Sequence, residues 1–539
     1  MDGDFDFIIV GAGAAGGVLA NRLTENGRHK VLLLEAGGSD RRFFIDMPLG
    51  YGKTFYDPKL NWMYQAEPDA GLAGQMDYWP RGKVIGGSSS INAMVYVRGD
   101  ATDFDDWRAA GNVGWGWGDV LPAFKAMEDN EAGADEWRGK GGPLFISANG
   151  KGLHWTAAKF EEAAVAAGLE LNPDFNGATQ EGVGHYQLTV KGGRRNSAAR
   201  AFLRPAFGRP NLKVISQAHV SRIVFVGKRA VGVEYHHAGQ KKAAHAKCEV
   251  IVSGGAVNSP QLLQLSGLGD GAQLQKLGVA VVAANNNVGR HLKDHQGINY
   301  TYRLNVPTLN DTLRPWWGKL NAGLRYMLLK RGPLTLSMNQ GGGFFRTNVG
   351  ESRPNMQLYY QAFSTLIPRA GERPILSPDP FSGMSIGLSN CRPTSVGEIV
   401  AVSPDPSVAP RIVANAFATD HDVQEMLEAV KFIRKIAAQK PIADLIAEEL
   451  RPGPEVTTDD ALVADFRQRS GTVYHPCCTC RMAVSAVDGV VDTRMRMHGV
   501  DGLRVIDASV FPSIISGNLQ AASMMVGWRG AEMILAEIQ

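Results

Sequence analysis

Cysteine is scarce in this chain: five residues in 539, at Cys248, Cys391, Cys477, Cys478 and Cys480. Their spacing gives no disulfide framework, and the odd number leaves at least one free thiol. A reducing, cytoplasmic setting is the expectation. An excess of charge is missing as well, since Lys plus Arg outnumber Asp plus Glu by three, 56 against 53. No long basic run occurs, which speaks against nucleic acid or an anionic membrane as partner. No apolar stretch reaches the roughly 20 residues that cross a bilayer, so no transmembrane segment is expected. The segment Met1–Asp6 is acidic and runs directly into apolar residues. Without a basic leader or a cleavage site, secretion is not expected. Internal repeats and low-complexity linkers are lacking too.

The residues present describe a globular enzyme. Hydrophobic residues make up 44% and charged residues 20%, and the length calls for at least two domains. Phe5–Val10 reads as a buried strand, Ala14–Leu23 as a helix and Val31–Leu34 as a second strand ending at Glu35. Between the first strand and the helix stand Gly11, Gly13 and Gly16. Gly11 permits a tight turn, Gly13 lets backbone meet a pyrophosphate, and Gly16 lets helix and strand pack closely. The helix N-terminus adds free N–H groups and a positive dipole end. Glu35 is placed to accept both ribose hydroxyls, and its charge disfavours a 2′-phosphate. The motif alone leaves FAD and NAD open.

Two longer stretches carry a family resemblance. One runs from Gly82 through Gly86, Gly87, Ser88–Ser90 and Asn92 to Tyr96, continuing to Gly99 and Asp105. The other runs from Gly255 through Ser259, Pro260 and Ser266 to Gly269. Both resemble, position by position, the diagnostic patterns of the glucose–methanol–choline (GMC) oxidoreductase family. Asn61–Tyr64 with Glu67 and Pro68, Asn287–His295, Ser403–Pro406 and Gly502–Pro512 extend the likeness nearly end to end; it is weakest at 300–390. Asn172–Gly177, Tyr474–Cys480 and Met497–Gly499 are most similar to bacterial sorbose-dehydrogenase-like and choline-dehydrogenase-like members.

The resemblance implies an α/β protein, α+β overall. It would have a discontinuous Rossmann-type FAD-binding domain (1–155, 206–296 and 465–539) and a substrate domain (156–205 and 297–464). The latter would hold an antiparallel sheet flanked by helices such as Asp422–Gln439. The dinucleotide turn would contact FAD through Ala14 and Ala15 besides its glycines, and through Ala36 beside Glu35. Arg81, Val84, Gly86, Gly87 and Ser88 would line the ring, with Asn92, Ala93 and Val95 beyond them. Val220 would meet the adenine, and Gly254, Asp507, Ala508 and Leu519 would complete the site. Some relatives bind FAD covalently through a histidine; Ile91 stands at that position here, so the flavin is expected to be non-covalent.

Alcohol oxidation needs a base, hydrogen bonds for the forming alkoxide, and a dry approach to the ring. Within Thr472–Pro476, His475 resembles the family's catalytic histidine. Asn518 stands where relatives carry a second His or an Asn; an Asn hydrogen-bonds but does not titrate, so His475 alone would carry the proton. Asn518 is also a candidate cap for a helix from about Leu519 to Ile534. Cys478 replaces the glycine usual in this loop, which bears on the geometry of His475. Cys477 and Cys480 have ligand spacing, but no second pair accompanies them, so packing rather than metal binding is expected. Trp316, Trp317, Phe344, Phe345, Tyr359 and Tyr360 are candidates for a substrate cavity or for core. No motif forces a carboxylate into the pocket, and Gln340 stands where one would suit a cationic substrate.

The expected reaction is oxidation of a primary alcohol, of a sugar or aromatic compound among others. Proton abstraction at His475 would accompany hydride transfer to the flavin, with electrons passing to a quinone or other non-oxygen acceptor. An oxidase making peroxide, and a lyase or photoenzyme on the same fold, are the rival readings.

Overall fold

A computed structural model describes residues 4–148, 150, 152–348, 351–366 and 377–538. Met1–Gly3, the start of the acidic N-terminal segment, lie outside the described residues.

Phe5, Phe7, Ile8, Ile9 and Val10 form too continuous an apolar run for a half-exposed strand. They build the strand Asp4–Val10 at the centre of a seven-stranded sheet, buried on both faces as such a run requires. Val31–Leu34 and Gln240–Val252 flank it, both parallel. Leu212–Ile215 and Leu503–Val505 add further parallel strands. The first half of Gln240–Val252 turns the other way in its pairing, carrying antiparallel Arg229–His237 and then Ala218–Val226. Segments far apart in sequence thus share one Rossmann-type layer.

The helix Ala14–Thr24 leaves the end of the first strand through the glycine turn. Gly11 has φ +102°, and a side chain there would overlap the Ser253 carbonyl. A side chain at Gly16 would overlap the Gly11 carbonyl. The strand, the helix and the segment after Val252 are therefore as close as backbone allows. The C-terminal helix Gln520–Glu537 packs along Ala14–Thr24, so the two chain ends close one core.

The second sheet is antiparallel, in the order Ile446–Arg451, Gln296–Leu304, Gly383–Asn390, Met356–Gln361, Gly341–Phe345 and Gly182–Gly184. Gly471–Thr472 pairs with the start of Gln296–Leu304. The helix on this sheet runs Asp420–Ala437, two residues ahead of its expected bounds. Thr419 caps it, its hydroxyl accepting the Asp422 N–H at 3.3 Å, and that early cap moves the start. Met426, Val430, Ile433 and Ala437 recur at helical spacing and are buried on the sheet. The helix Asp459–Arg469 runs unbroken across the expected boundary at 464/465. Its Leu462 and Phe466 both join the core of the antiparallel sheet, so the chain crosses between the two cores after residue 469.

No helix among the described residues is long and apolar enough to cross a membrane. The close approach at Gly16 gives a direct test. Overpacking of this kind costs about 1–3 kcal/mol, so Gly16→Ala is expected to lower Tm by several degrees in a thermal scan. An unchanged Tm would show that the turn has slack.

Candidate active site

A cavity of about 980 Å³ runs from the end of the parallel sheet to the antiparallel one. At its first end, Gly11, Gly13, Ala14 and Ala15 form the wall, and nothing lies within 4 Å of a side chain built on Gly13. Glu35 and Ala36 face them. The Glu35 carboxylate accepts the Ala12 N–H and the Gly37 N–H, each at 2.8 Å. Burial pushes its pKa up to about 7 despite those two donors. Val220 and Gly254 line the same end.

The loop Gly82–Val95 crosses the cavity. Arg81, Gly87, Ser88, Asn92, Ala93 and Val95 reach the lining; Gly16, Val84 and Gly86 do not. Gly16 is spent on the helix–strand contact. Val84 is fully buried against Ile45, Leu60 and Ile91, and the Gly86 N–H goes to the Ala12 carbonyl at 2.7 Å. These three shape the site from behind. The loop is pinned by a residue the motifs did not point to, Arg195. Its guanidinium is buried and donates to the carbonyls of Ile45 (3.0 Å), Ser89 (3.2 Å) and Asn92 (2.7 Å). Asp507 ties in the second pattern: one oxygen accepts the Gly255 N–H at 2.8 Å and the Ser259 hydroxyl at 2.6 Å, the other the Ser509 N–H. Ala508 and Leu519 lie beside it on the wall. Gln520 also lines the cavity, and its buried Nε2 has no partner in the protein.

At the far end His475 and Asn518 come together. Asn518 does not cap the C-terminal helix, whose N-cap is Leu519 without a side-chain bond. Its amide is drawn away to the imidazole, Nδ2 standing 3.0 Å from His475 Nε2. The amide's orientation is fixed from behind. Tyr359 Oη donates to Gln357 Oε1 at 2.7 Å, and Gln357 Nε2 donates to Asn518 Oδ1 at 3.2 Å. On the other side, His475 Nδ1 lies 3.0 Å from His295 Nδ1, and His295 Nε2 lies 2.9 Å from the Cys391 carbonyl.

These contacts assign the protons. Burial above all holds His295 down to about 4 and His475 well below its ordinary value, the latter helped by His295 and Arg81. Both rings are therefore neutral near pH 7, with one N–H each. The Cys391 carbonyl only accepts, so His295 carries its proton on Nε2. His295 Nδ1 then accepts from His475 Nδ1–H, and His475 Nε2 is left unprotonated at the cavity wall, where it accepts from Asn518 Nδ2. The His475 backbone N–H is donated to Asp294 at 2.8 Å, and Thr472 Oγ1 donates to the same carboxylate. In the sequence, His295 and Asp294 stand only as parts of the family-like stretch Asn287–His295, and their adjacency is the available signal.

Of the six aromatic candidates, Tyr359 alone lines the cavity. Phe344, Phe345 and Tyr360 are core. Trp316 and Trp317 point outward, 70% and 63% exposed, because the helix that carries them turns that face to solvent. Gln340 faces inward to accept the His154 N–H, not into the cavity. Cys477, Cys478 and Cys480 are buried, with Cys477 and Cys478 Sγ 3.4 Å apart. Among the described residues no set of three ligand-type side chains converges on a metal position.

Comparison with known proteins gives a consistent picture. Residues 5–297 and 393–527 match the N- and C-terminal family models of GMC oxidoreductase. The chain is 40% identical over 540 residues to the mitochondrial choline dehydrogenase of Mus musculus, covering 98% of this chain and 89% of that one. It is 38% identical over 538 residues to an alcohol dehydrogenase [acceptor] of Pseudomonas putida, covering 99% and 96%. A formate oxidase from Aspergillus oryzae, studied for modification of its FAD, superposes with a TM-score of 0.91 at 27% identity, over 99% of each chain.

The Glu35 carboxylate lines the cavity beside the glycine turn. Glu35→Ala is expected to lose FAD during dialysis while the fraction that keeps it reacts at close to the parental rate. Full flavin occupancy after dialysis would remove Glu35 from the site.

Proposed function

The chain belongs to the GMC oxidoreductase family and is an FAD-dependent oxidoreductase of alcohols, and from this premise we propose that it oxidises a neutral, partly apolar primary alcohol to the aldehyde with His475 as base. The hydrogen-bond chain Gln357–Asn518–His475–His295–Cys391 carries this reading, because it supports an unprotonated His475 Nε2 at the cavity wall with the Asn518 Nδ2 donor beside it.

The residues present fit FAD. The open face at Gly13, the unpartnered Gln520 Nε2 and the Glu35 carboxylate supply room, a donor and an acceptor along one wall. Ile91 lines the cavity without a nucleophile, which supports non-covalent binding. When bound, FAD supplies the two-electron acceptor for the substrate's hydride. His475 Nε2 takes the hydroxyl proton. Asn518 Nδ2 donates to the substrate oxygen as charge develops on it. His295 Nδ1 accepts from His475 Nδ1–H throughout, so the imidazolium formed is stabilised from behind. Asp294 holds the His475 backbone, and Tyr359, Phe55, Met338 and Leu388 supply uncharged wall.

A neutral substrate is favoured because the carboxylates on the wall are already engaged. Asp77 accepts the Thr472 N–H at 2.6 Å, and burial pushes it up to about 6. Choline dehydrogenases among the relatives make a cationic alcohol the second reading, and Asp77 beside Tyr56, Tyr78 and Tyr474 is the feature that favours it. Anaerobic mixing with aliphatic, aromatic, sugar and amino alcohols separates the two: neutral primary alcohols should bleach the flavin fastest. Choline as the fastest substrate would reverse the assignment. Readmitting air tests the acceptor; slow recolouring supports a non-oxygen acceptor, and rapid recolouring with peroxide supports an oxidase.

Four substitutions test the mechanism by stopped-flow bleaching. His475→Ala is expected to slow it by about 10²–10⁴-fold, and Asn518→Ala by about 10²–10³-fold. His295→Asn keeps an acceptor near Nδ1 and should retain most of the rate. His295→Gln keeps only the contact to Cys391 and should lose at least about tenfold through the wrong His475 tautomer. A His295→Gln enzyme with full flavin and parental rate would exclude the relay.

The pH dependence follows from burial. A histidine with a lowered pKa stays unprotonated, and therefore active, until the pH falls below that value. The acid limb of kcat/KM is expected below about pH 6.5. A limb centred above pH 7 would assign it to another group.

A further inference from the structure

The helix Trp316–Leu329 is turned inside out relative to an ordinary surface helix. Only Ala322 and Tyr326 are buried. Trp316, Trp317, Leu320, Leu324, Met327 and Leu328 are each more than half exposed. At about 100° per residue they fall on one stripe. Phe43 and Phe44 are also exposed, 49% and 43%, beside the same helix, with the Phe43 ring 6.0 Å from Tyr326. Contiguous apolar surface of this kind marks a docking site.

Basic residues surround the stripe. Lys319, Arg325 and Arg331 are exposed along or just beyond the helix, and Lys330 lies over the Tyr326 ring at 4.3 Å. Exposed Arg41 and Arg42 precede Phe43, and Arg194 lies within electrostatic reach of Tyr326. The nearby acids are engaged. Asp46 pairs with Arg200 at 3.3 Å and Arg204 at 3.8 Å, and Asp311 accepts from Thr308 and Ser382.

We propose that this face lies on the surface of a membrane containing anionic lipids. Tryptophans at an interface, leucines below them and cations around them are the pattern of a helix lying in the headgroup plane. Fourteen residues span about 21 Å, short of the ~30 Å needed to cross. A second copy of the chain is the poorer occupant, because a two-fold contact sets each patch against itself and brings its cations together. The lack of a long basic run, which spoke against an anionic membrane, does not register cations that the fold gathers from 41–42, 194 and 319–331.

The placement bears on the reaction proposed above, and this part rests on that reading. Ala322 and Leu313 share a core with Tyr51, Phe55 and Met338, which line the cavity. The membrane-facing element thus backs the wall of the reacting chamber. Alcohol to aldehyde releases two electrons and two protons, which convert one quinone to quinol, and quinones dissolve in the bilayer.

Flotation of the holoenzyme tests the docking without turnover. The parent is expected to float with phosphatidylcholine vesicles containing about 30% phosphatidylglycerol, less with pure phosphatidylcholine, and less at high salt. Trp317→Ser/Leu324→Glu/Leu328→Glu should lose at least about tenfold of that binding. Lys319→Glu/Arg325→Glu/Arg331→Glu should erase the preference for anionic vesicles. Both variants should bleach with alcohol as the parent does, showing an intact fold. A parent that does not float with anionic vesicles, or an apolar variant that floats equally well, overturns the proposal. So does a parent that elutes as a dimer and ignores vesicles while the apolar variant elutes as a monomer.

Discussion

A buried neutral imidazole has one proton to place and one lone pair to fill, and the reacting centre is arranged around that constraint. Leaving a buried polar group unmatched costs about 1–3 kcal/mol. His295 meets the requirement fully, and His475 meets it by leaning on Asn518. The groups come from different places: His295 stands before Gln296–Leu304, Cys391 after Gly383–Asn390, His475 after Gly471–Thr472, and Asn518 before the C-terminal helix. The chain of bonds closes only with both sheets docked. Docking and alignment of the proposed catalytic groups are therefore one event. The same burial links the site to stability. With folded pKa values below the unfolded one, the two histidines contribute stability above about pH 6.5, and it is lost as pH falls toward their folded values.

The loop that carries His475 holds its shape against local preference. Tyr474 and Cys478 both have left-handed backbone, at φ 72° and 69°, which costs non-glycine residues about 1–2 kcal/mol each. Cys478 occupies a position where the family pattern has glycine, and the backbone keeps the conformation that glycine would take. It is held there from outside: Lys293 and Cys477 exchange backbone hydrogen bonds at 3.2 and 3.0 Å, and the Cys478 N–H goes to the Ala508 carbonyl. The thiol is absorbed into the core beside Cys477. The substitution thus strains the turn without moving the imidazole out of reach of Asn518.

The dinucleotide end was legible in the sequence because its determinants are local. Gly11, Gly13, Gly16 and Glu35 lie within one strand–turn–helix–strand unit, and each acts through its own backbone or the next strand. His475 and Asn518 were singled out only through the family pattern, since nothing local distinguishes His475 among 12 histidines. His295 and Arg195 act through partners 96 to 180 residues away, and Gln357 reaches Asn518 across 161. Such pairs leave no trace in spacing. The helix Asp459–Arg469 crosses the expected boundary at 464/465: Leu462 and Phe466 sit on one helix face, and only the fold shows which core that face meets.

Trp316 and Trp317 mark the sharpest divergence between pattern and structure. Six large apolar residues at helical spacing ordinarily signal a buried face, and periodicity carries no sign that tells inward from outward. Here the inward side is made by Ala322, which shares a core with Leu313 and Met338, and by Tyr326, one of the largest fully buried side chains. Exposing the larger side chains to water forfeits about 25 cal/mol per Å² of apolar area relative to burying them, which a chain with no partner for that face would be expected to avoid. The cations that flank the stripe would serve no purpose against a protein interior. Apolar centre and basic rim together match a surface that is apolar within and negative outside, the occupant proposed for this face.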